Sequence, residues 1–380
     1  MDGLGGLPRQ SDRLTELEAA KTPNLDRLAA EGECGLHQPI GSGITPGSGP
    51  SHLALFGYDP IKYDVGRGVL SALGIGFDLK PDDIAARGNF CTVDDNGTVT
   101  DRRAGRIGTD KNKELCEELG KIELSGTELF IDTVSEHRFL FVLRGKGLGD
   151  RVNDTDPQET GRRPLKAEGE DDASRKTAAL VEEFLKRAGD ILNDHHPANM
   201  VLMRGFSKHP DWPTVPDVYG FKAAAIANYP MYRGVSKLVG MNVLEVEYGI
   251  DKEFEALEAN WNDYDFFYLH VKKTDSHGED GDFEAKVSVI EETDRHLSLI
   301  DKLKPDVILV TGDHSTPSEM KYHSWHPVPV LIWSKFVRPD GAKTFGEREC
   351  LKGALGVRFP ATDLMPLVMA NSHRLEKYGA

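Results

Sequence analysis

Phe266-Phe267-Tyr268-Leu269-His270-Val271 decides the fold of this 380-residue chain. The run is largely apolar, as a parallel strand buried on both faces must be. A polar loop follows, Lys272-Lys273-Thr274-Asp275-Ser276-His277-Gly278-Glu279-Asp280-Gly281-Asp282. Then Glu284 to Leu303 repeats Val287, Ile290, Leu297 and Ile300 at helical spacing. Val307-Ile308-Leu309-Val310 is the next strand, and Val328 to Trp333 and Val243-Leu244-Glu245-Val246 are others. Strands alternating with helices predict an α/β fold, a mainly parallel sheet with helices on both faces.

Toward the amino end, Thr22-Pro23-Asn24-Leu25-Asp26-Arg27-Leu28 reads as a helix start, with Thr22 at the N-cap and Pro23 at the first helical position. Between about residues 62 and 216 the texture changes. Phe90 to Thr100 reads as a hairpin turned at Asn96-Gly97, and Arg138 to Leu143 is a strand. Asp150 to Lys176 is polar and reads as a mobile loop, Thr177 to Leu192 as a helix, and Asn199 to Gly205 as a short strand. This segment predicts a smaller α+β domain, 62–216, inserted into a core made of 1–61 and 217–380.

A net charge of −16 argues against nucleic acid and polybasic membrane partners. No apolar run is long enough to cross a membrane, and no signal peptide is apparent. Cys34, Cys91, Cys116 and Cys350 are scattered, as reduced thiols in a cytoplasmic protein would be.

The chemistry gathers at strand ends. Asp275 follows the strand at 266–271, and Asp313-His314 follows the strand at 307–310, with His323 nearby. In open α/β sheets ligands bind beyond the carboxyl ends of the strands. Carboxylates with imidazoles suit Mn²⁺, Mg²⁺ or Zn²⁺. Far away in sequence, Gly43-Ile44-Thr45-Pro46-Gly47-Ser48-Gly49-Pro50-Ser51-His52 sets one serine between glycines, just before Leu53-Ala54-Leu55-Phe56. If that apolar run is helical, Ser48 lies at the positive end of the helix, where an anion is stabilised. A serine needs help to act as a nucleophile, and a cation that lowers its pKa supplies it. Together these point to phosphoryl transfer. Arg102, Arg103, Arg106, Arg204, Arg233 and Lys222 are candidate cations for an anionic substrate.

Asp2-Gly3, Thr22 to Asp26, Thr45 to Ser48, His52 to Pro60, Arg102-Arg103-Ala104-Gly105-Arg106, Thr311-Gly312-Asp313-His314-Ser315-Thr316-Pro317, His323-Ser324 and Pro327-Val328-Pro329 together resemble the cofactor-independent (2,3-bisphosphoglycerate-independent) phosphoglycerate mutases of the archaeal type, within the alkaline phosphatase superfamily. The resemblance implies an alkaline phosphatase-like core and an inserted domain that clamps the glycerate. It implies interconversion of 3-phosphoglycerate and 2-phosphoglycerate through a phosphoserine, with two divalent metals, Mn²⁺ or Mg²⁺, Zn²⁺ or Co²⁺ being alternatives. Carried over by motif, Ser48 is the nucleophile. Asp2, Ser48, Asp313 and His314 hold one metal, and Asp275 and His323 hold the other with a third ligand.

The family commonly has a histidine four residues after that aspartate. Here Glu279 stands there, so Glu279 is preferred as the third ligand, with His277 as the alternative. Gly6 stands where an acidic residue is common, and no strand precedes Asp2, which predicts an apolar strand upstream in the protein or its ancestor. A metal-dependent phosphatase or another phosphomutase of the superfamily is the second reading, and a catalytically silent binding or scaffold protein is the third. A homo-oligomer is left open.

Overall fold

The computed structural model describes residues 1–379. The chain divides into two compact units. The first comprises Met1–Asp64, Pro213–Tyr232 and the chain from Val239 onward, and the second comprises Val65–Trp212 with Arg233–Leu238.

The first unit holds two sheets. One orders its strands Val307–Thr311, Val328–Ser334, Glu33–Gln38 and Gly356–Pro360. The other places Ala223–Ile226 between Asn242–Val243 and Phe266–Leu269, all parallel. The expected mainly parallel sheet is met in part, the second sheet being parallel throughout and the first mixed. Val328–Ser334 runs antiparallel to both neighbours, and only Glu33–Gln38 with Gly356–Pro360 is a parallel pair in its sheet. A short connection from Thr311 to Val328 permits the antiparallel return, which needs no crossover helix. The strand expected at Val243–Val246 is confined to Asn242–Val243.

Met1 to Gly5 join the two sheets. The Met1 nitrogen donates to the Thr311 carbonyl at 2.9 Å, and the Asp2 N–H donates to the Val271 carbonyl at 2.9 Å. Leu4 and Gly5 bridge to Ser315.

Helices Pro23–Glu31, Ile250–Ala259 and Phe283–Leu303 bury Leu25, Leu28, Phe254, Ile290 and Leu297 in one core with Leu331. Pro23 starts the first of these, but Thr22 makes no side-chain cap. Its N-terminus is capped from far away. The buried Asp294 carboxylate accepts the Leu25 N–H at 2.8 Å and the Asn24 N–H at 3.3 Å, placing an anion at the positive helix end.

Glu253 is also buried, with one oxygen accepting from Asn228 Nδ2 at 2.7 Å and the other without a hydrogen-bond partner. Burial raises its pKa from the ordinary 4.5 to about 8. The folded protein thus keeps a proton that the unfolded chain has released, so stability falls as pH rises between those two values. The slope from this group is at most about 1.4 kcal/mol per pH unit. Glu253→Gln is expected to flatten the decline in melting temperature between pH 6.5 and 8. An unchanged slope would contradict this account.

The second unit is built on a five-stranded antiparallel sheet, ordered Val99–Asp101, Ile84–Val93, Arg138–Arg144, Glu128–Ser135, with Met200–Ser207 also paired to Ile84–Val93. Phe90, Phe139 and Phe141 meet Leu115, Val181 and Phe184 from helices Thr109–Leu119 and Asp172–Leu192. The hairpin at Asn96-Gly97 is present, with Gly97 at φ 74° as its turn requires. The segment expected to be a mobile loop is pinned instead. The Thr155 N–H donates to the Met203 carbonyl, the Leu165 N–H to the Thr155 carbonyl, and the helix already begins at Asp172.

Candidate active site

Three backbone segments of the first unit come together at strand ends with almost no side chain between them. A Cβ on Gly3 would lie 2.5 Å from Thr316 Oγ1, and one on Gly278 would lie 2.3 Å from the Thr316 carbonyl oxygen. The Gly3 N–H donates to Asp313 Oδ1 at 3.0 Å. This close approach brings Asp2, Asp275 and Asp313-His314 within reach of one another.

Two groups of potential ligands result. Asp2, Asp313 and His314 form one, and Asp275, His314 and His323 the other; in each, the ligand atoms lie within 4.8 Å of one another. In the first group His314 Nε2 is 3.4 Å from Asp2 Oδ1 and 3.2 Å from Asp313 Oδ2. Both of those carboxylate oxygens are buried without a hydrogen-bond partner. Orphaned anionic oxygens around an imidazole are costly unless a cation satisfies them, so this donor set fits a divalent metal. Burial and the neighbouring Asp2 charge raise the Asp313 carboxyl well above the carboxylate range. Asp2 is shifted the other way: Lys272, His270 and His314 outweigh its burial and hold it well below.

The histidine tautomers follow from hydrogen bonding. Thr316 Oγ1 donates to Asp275 Oδ1 at 2.7 Å, so its oxygen can only accept from His314 Nδ1, 2.9 Å away. His314 therefore carries its proton on Nδ1 and turns the Nε2 lone pair to Asp2, Asp313 and Ser48. Burial keeps it neutral. Likewise His323 Nδ1 donates to the Pro46 carbonyl at 2.9 Å, which frees Nε2 toward Asp275 Oδ1 at 3.6 Å and Glu279 Oε1 at 3.9 Å. Such second hydrogen bonds orient metal-binding imidazoles.

Ser48 is the first residue of the helix Ser48–Leu55, after the N-cap Gly47. Pro50 fits the first turn, where its missing N–H costs nothing. The Ser48 hydroxyl lies 3.2 Å from His314 Nε2.

Asp275 sits in a helix, Lys273–Asp280, not in the expected loop. Asp275 and Glu279 are thus one turn apart on one face. Glu279 Oε1 comes within 3.9 Å of His323 Nε2, and neither ligand group contains Glu279 or His277.

Several participants escaped the sequence reading. Lys272 Nζ lies 2.9 Å from Asp2 Oδ2 and 2.5 Å from Asp275 Oδ2, linking the two groups. Tyr232 donates to Asp2 Oδ2. His52 Nδ1 donates to the Ser48 carbonyl at 2.7 Å and lies 3.3 Å from Asp313 Oδ2. Burial lowers its pKa to about 3, so it is neutral. His52 and Lys272 flank motif residues in the chain, which was the available signal; Tyr232 had none.

Of the candidate substrate cations, Lys222 lies away from these ligand groups. Its backbone pairs with Asp265 at the amino end of Ala223–Ile226, and its ammonium lies over Tyr264, 4.6 Å from the ring centroid. The site lies past the other end of this sheet, where the His270 N–H donates to the Ile226 carbonyl. Arg102 is committed to the buried Asp156 through Nε at 2.9 Å and Nη2 at 2.6 Å, and Arg204 lies 3.3 Å from Asp154 and 3.8 Å from Asp156. Arg103 and Arg106 are exposed in the second unit, and Arg233 is half-buried in helix Pro230–Leu238.

Residues 29–199 match the family described as 2,3-bisphosphoglycerate-independent phosphoglycerate mutase. A protein of Aquifex aeolicus named probable 2,3-bisphosphoglycerate-independent phosphoglycerate mutase is 52% identical, over 100% of this chain and 95% of its own length. The chain belongs to this mutase family. Two solved structures are similar to it over nearly the whole chain. One, from Pyrococcus horikoshii, is 33% identical with a TM-score of 0.86, over 100% of this chain and 97% of its own. The other, a cofactor-independent phosphoglycerate mutase from Thermoplasma acidophilum, is 31% identical with a TM-score of 0.69, over 98% of each chain. The mutase family is metal-dependent, in keeping with the unpaired oxygens of Asp2 and Asp313. Among the described residues no helix is long and apolar enough to cross a membrane.

Proposed function

We propose that this chain interconverts 3-phosphoglycerate and 2-phosphoglycerate through a phosphoserine at Ser48. The observation that carries this reading is the Ser48 hydroxyl, 3.2 Å from the unprotonated Nε2 of a neutral His314, beside two unpaired carboxylate oxygens. The family names supply the substrate. Ser48 Oγ and His314 Nε2 are close enough to serve one ion together, which would take the lone pair that the hydroxyl faces here, and the helix N-terminus beneath Ser48 favours the phosphoryl anion. Lys272 adds a fixed positive charge between the two carboxylate groups.

Two divalent metals, Mn²⁺ or Mg²⁺ with Zn²⁺ or Co²⁺ as alternatives, fit the donors. Asp2, Ser48, Asp313 and His314 would hold one, and Asp275, His323 and Glu279 the other. When bound, they lower the serine pKa and stabilise phosphoryl charge. A pair of cation sites at strand ends also supports reading the core as alkaline phosphatase-like. Incubation of the Mn²⁺-supplied protein with 3-phosphoglycerate, coupled to enolase, tests the assignment. Free phosphate as the sole product would favour the phosphatase reading instead.

Glu279→Ala is expected to lose one metal equivalent without unfolding, because the exposed Glu279 side chain contributes little to the core. His277→Ala is expected to keep both. Metal counting on the two variants checks this, and full occupancy in Glu279→Ala would remove Glu279 from the site.

We read residues 62–216 as the substrate-clamping insertion, a reading supported by the separate antiparallel sheet and core of the second unit. Arg103 and Arg106, exposed, suit the substrate's phosphate and carboxylate, and Arg233 is retained with them. Arg106→Ala is expected to raise the share of free phosphate over 2-phosphoglycerate, through weaker glycerate retention. Arg102→Ala is expected to behave differently. It strands the buried Asp156 and so lowers stability by about 3 kcal/mol. Product ratios and denaturant melts on both variants separate these outcomes.

A further inference from the structure

Lys286 is fully buried in the first turns of helix Phe283–Leu303. A cation at the positive end of a helix is disfavoured by the helix itself, and burial lowers the lysine pKa. Something outside the helix must therefore hold it there. Its ammonium donates to three backbone carbonyls: Gly3 at 2.8 Å, Thr316 at 2.9 Å and Gly5 at 3.2 Å. All three of its protons are used.

These carbonyls belong to the two backbone segments that carry Asp2 and Asp313-His314. The segments are tightly packed. A Cβ on Gly5 would lie 1.9 Å from Ser315 Oγ, and one on Gly312 would lie 2.8 Å from Leu4 Cβ. The Thr316 N–H reaches both the Gly3 and the Gly5 carbonyl, at 3.3 and 3.0 Å. The charge is balanced close by. Glu16, Glu347, Asp275 and Asp2 all act on Lys286. Glu16 accepts the Ser318 N–H at 2.8 Å, and Glu347 accepts the Gly6 N–H at 2.9 Å.

We propose that Lys286 is a positioning residue of the metal site: its ammonium ties the Asp2 segment to the Asp313-His314 segment and sets the spacing of their ligand atoms. This rests on the reading of Asp2, Asp313 and His314 as metal ligands. A charged hydrogen bond to a carbonyl is stronger than a neutral one, and three of them from one fixed helix hold both segments to a common reference. Lys286 spends its donors on backbone carbonyls. Its effect passes through the backbone.

The test uses the full chain as wild type, Lys286→Met and Ile290→Ala. Ile290 lies on the same helix, fully buried in the apolar core, so its truncation lowers stability without removing a donor to the carbonyls. Mn²⁺ is titrated calorimetrically into metal-free protein, and turnover of 3-phosphoglycerate is followed at saturating Mn²⁺. Lys286→Met is expected to bind Mn²⁺ about 10- to 100-fold more weakly, with a lowered kcat and a KM within about twofold of wild type. Ile290→Ala is expected to melt lower and bind Mn²⁺ as wild type does. Wild-type Mn²⁺ affinity in Lys286→Met overturns the proposal, and so does an equal loss in Ile290→Ala. If Lys286→Met does not fold, Lys286→Gln, which keeps one donor, is held to the same outcomes. A wild type that takes up no Mn²⁺ overturns the underlying site reading and this proposal with it, and is told apart by that arm alone.

Discussion

Ser48→Ala is expected to lose mutase turnover by about 10⁴-fold or more, as loss of a nucleophile does, and to keep its fold. Nothing in the helix Ser48–Leu55 depends on the hydroxyl. Ser48 follows the N-cap, the N-cap is Gly47, and no side-chain capping bond is made there. The neighbouring anchors are untouched by the change: Ser51 Oγ donates to the Gly47 carbonyl at 2.9 Å, and His52 Nδ1 to the Ser48 carbonyl. What is lost is the oxygen facing His314 Nε2. The melting temperature should stay near that of wild type while formation of 2-phosphoglycerate disappears. Substantial mutase turnover in the variant would remove the phosphoserine from the mechanism.

Asp313→Asn should be nearly as severe, and for a different reason. Asn keeps an oxygen for the Gly3 N–H, so the backbone arrangement survives. The other carboxylate oxygen, unpaired and 3.2 Å from His314 Nε2, becomes an NH₂ group. That group can donate to the His314 lone pair, closing the site on itself and removing a carboxyl that burial and Asp2 keep from ionising in the folded chain. The metal-free variant is therefore expected to melt higher than the metal-free wild type. It should show a smaller rise in melting temperature on adding Mn²⁺, since a ligand stabilises only in proportion to its binding. Turnover should fall about 10³-fold, the equivalent of several kcal/mol of lost charge stabilisation. Melting curves with and without Mn²⁺, beside the coupled assay, check both halves. An undiminished Mn²⁺ shift in Asp313→Asn would show that Asp313 is no ligand.

Much of this candidate site was legible in the chain because several of its proposed ligands follow apolar strands directly. Val307 to Thr311 announces Asp313 and His314, and Phe266 to Leu269 announces Asp275, through short continuous apolar runs. The glycines around Ser48 and the Asn96-Gly97 turn are equally local. The helix Phe283–Leu303 was readable to within a residue or two from its apolar spacing.

Other features depended on partners hundreds of residues apart. Residues 273–280 read as a loop because of their glycines and charges, yet they are helical, with Asp275 bonded to Thr316. The cap of Pro23–Glu31 is Asp294, where local capping rules pointed to Thr22.

The α/β alternation, the smaller α+β segment and the residue types able to bind metal and phosphate are written locally in the chain. These follow from periodicity and turn chemistry within a few residues. The packed fold was needed to see that Val328–Ser334 runs antiparallel to its neighbours, that Lys222 lies at the amino end of its strand, and that Arg102 pairs with Asp156. It alone fixed the proton of His314 on Nδ1 and placed Lys272 and Lys286 against the segments that carry Asp2 and Asp313. Each of these is a hydrogen bond, ion pair, ring contact or strand pairing set by the packed fold, and a lysine or arginine reads the same in a sequence whether it meets water or a buried carbonyl.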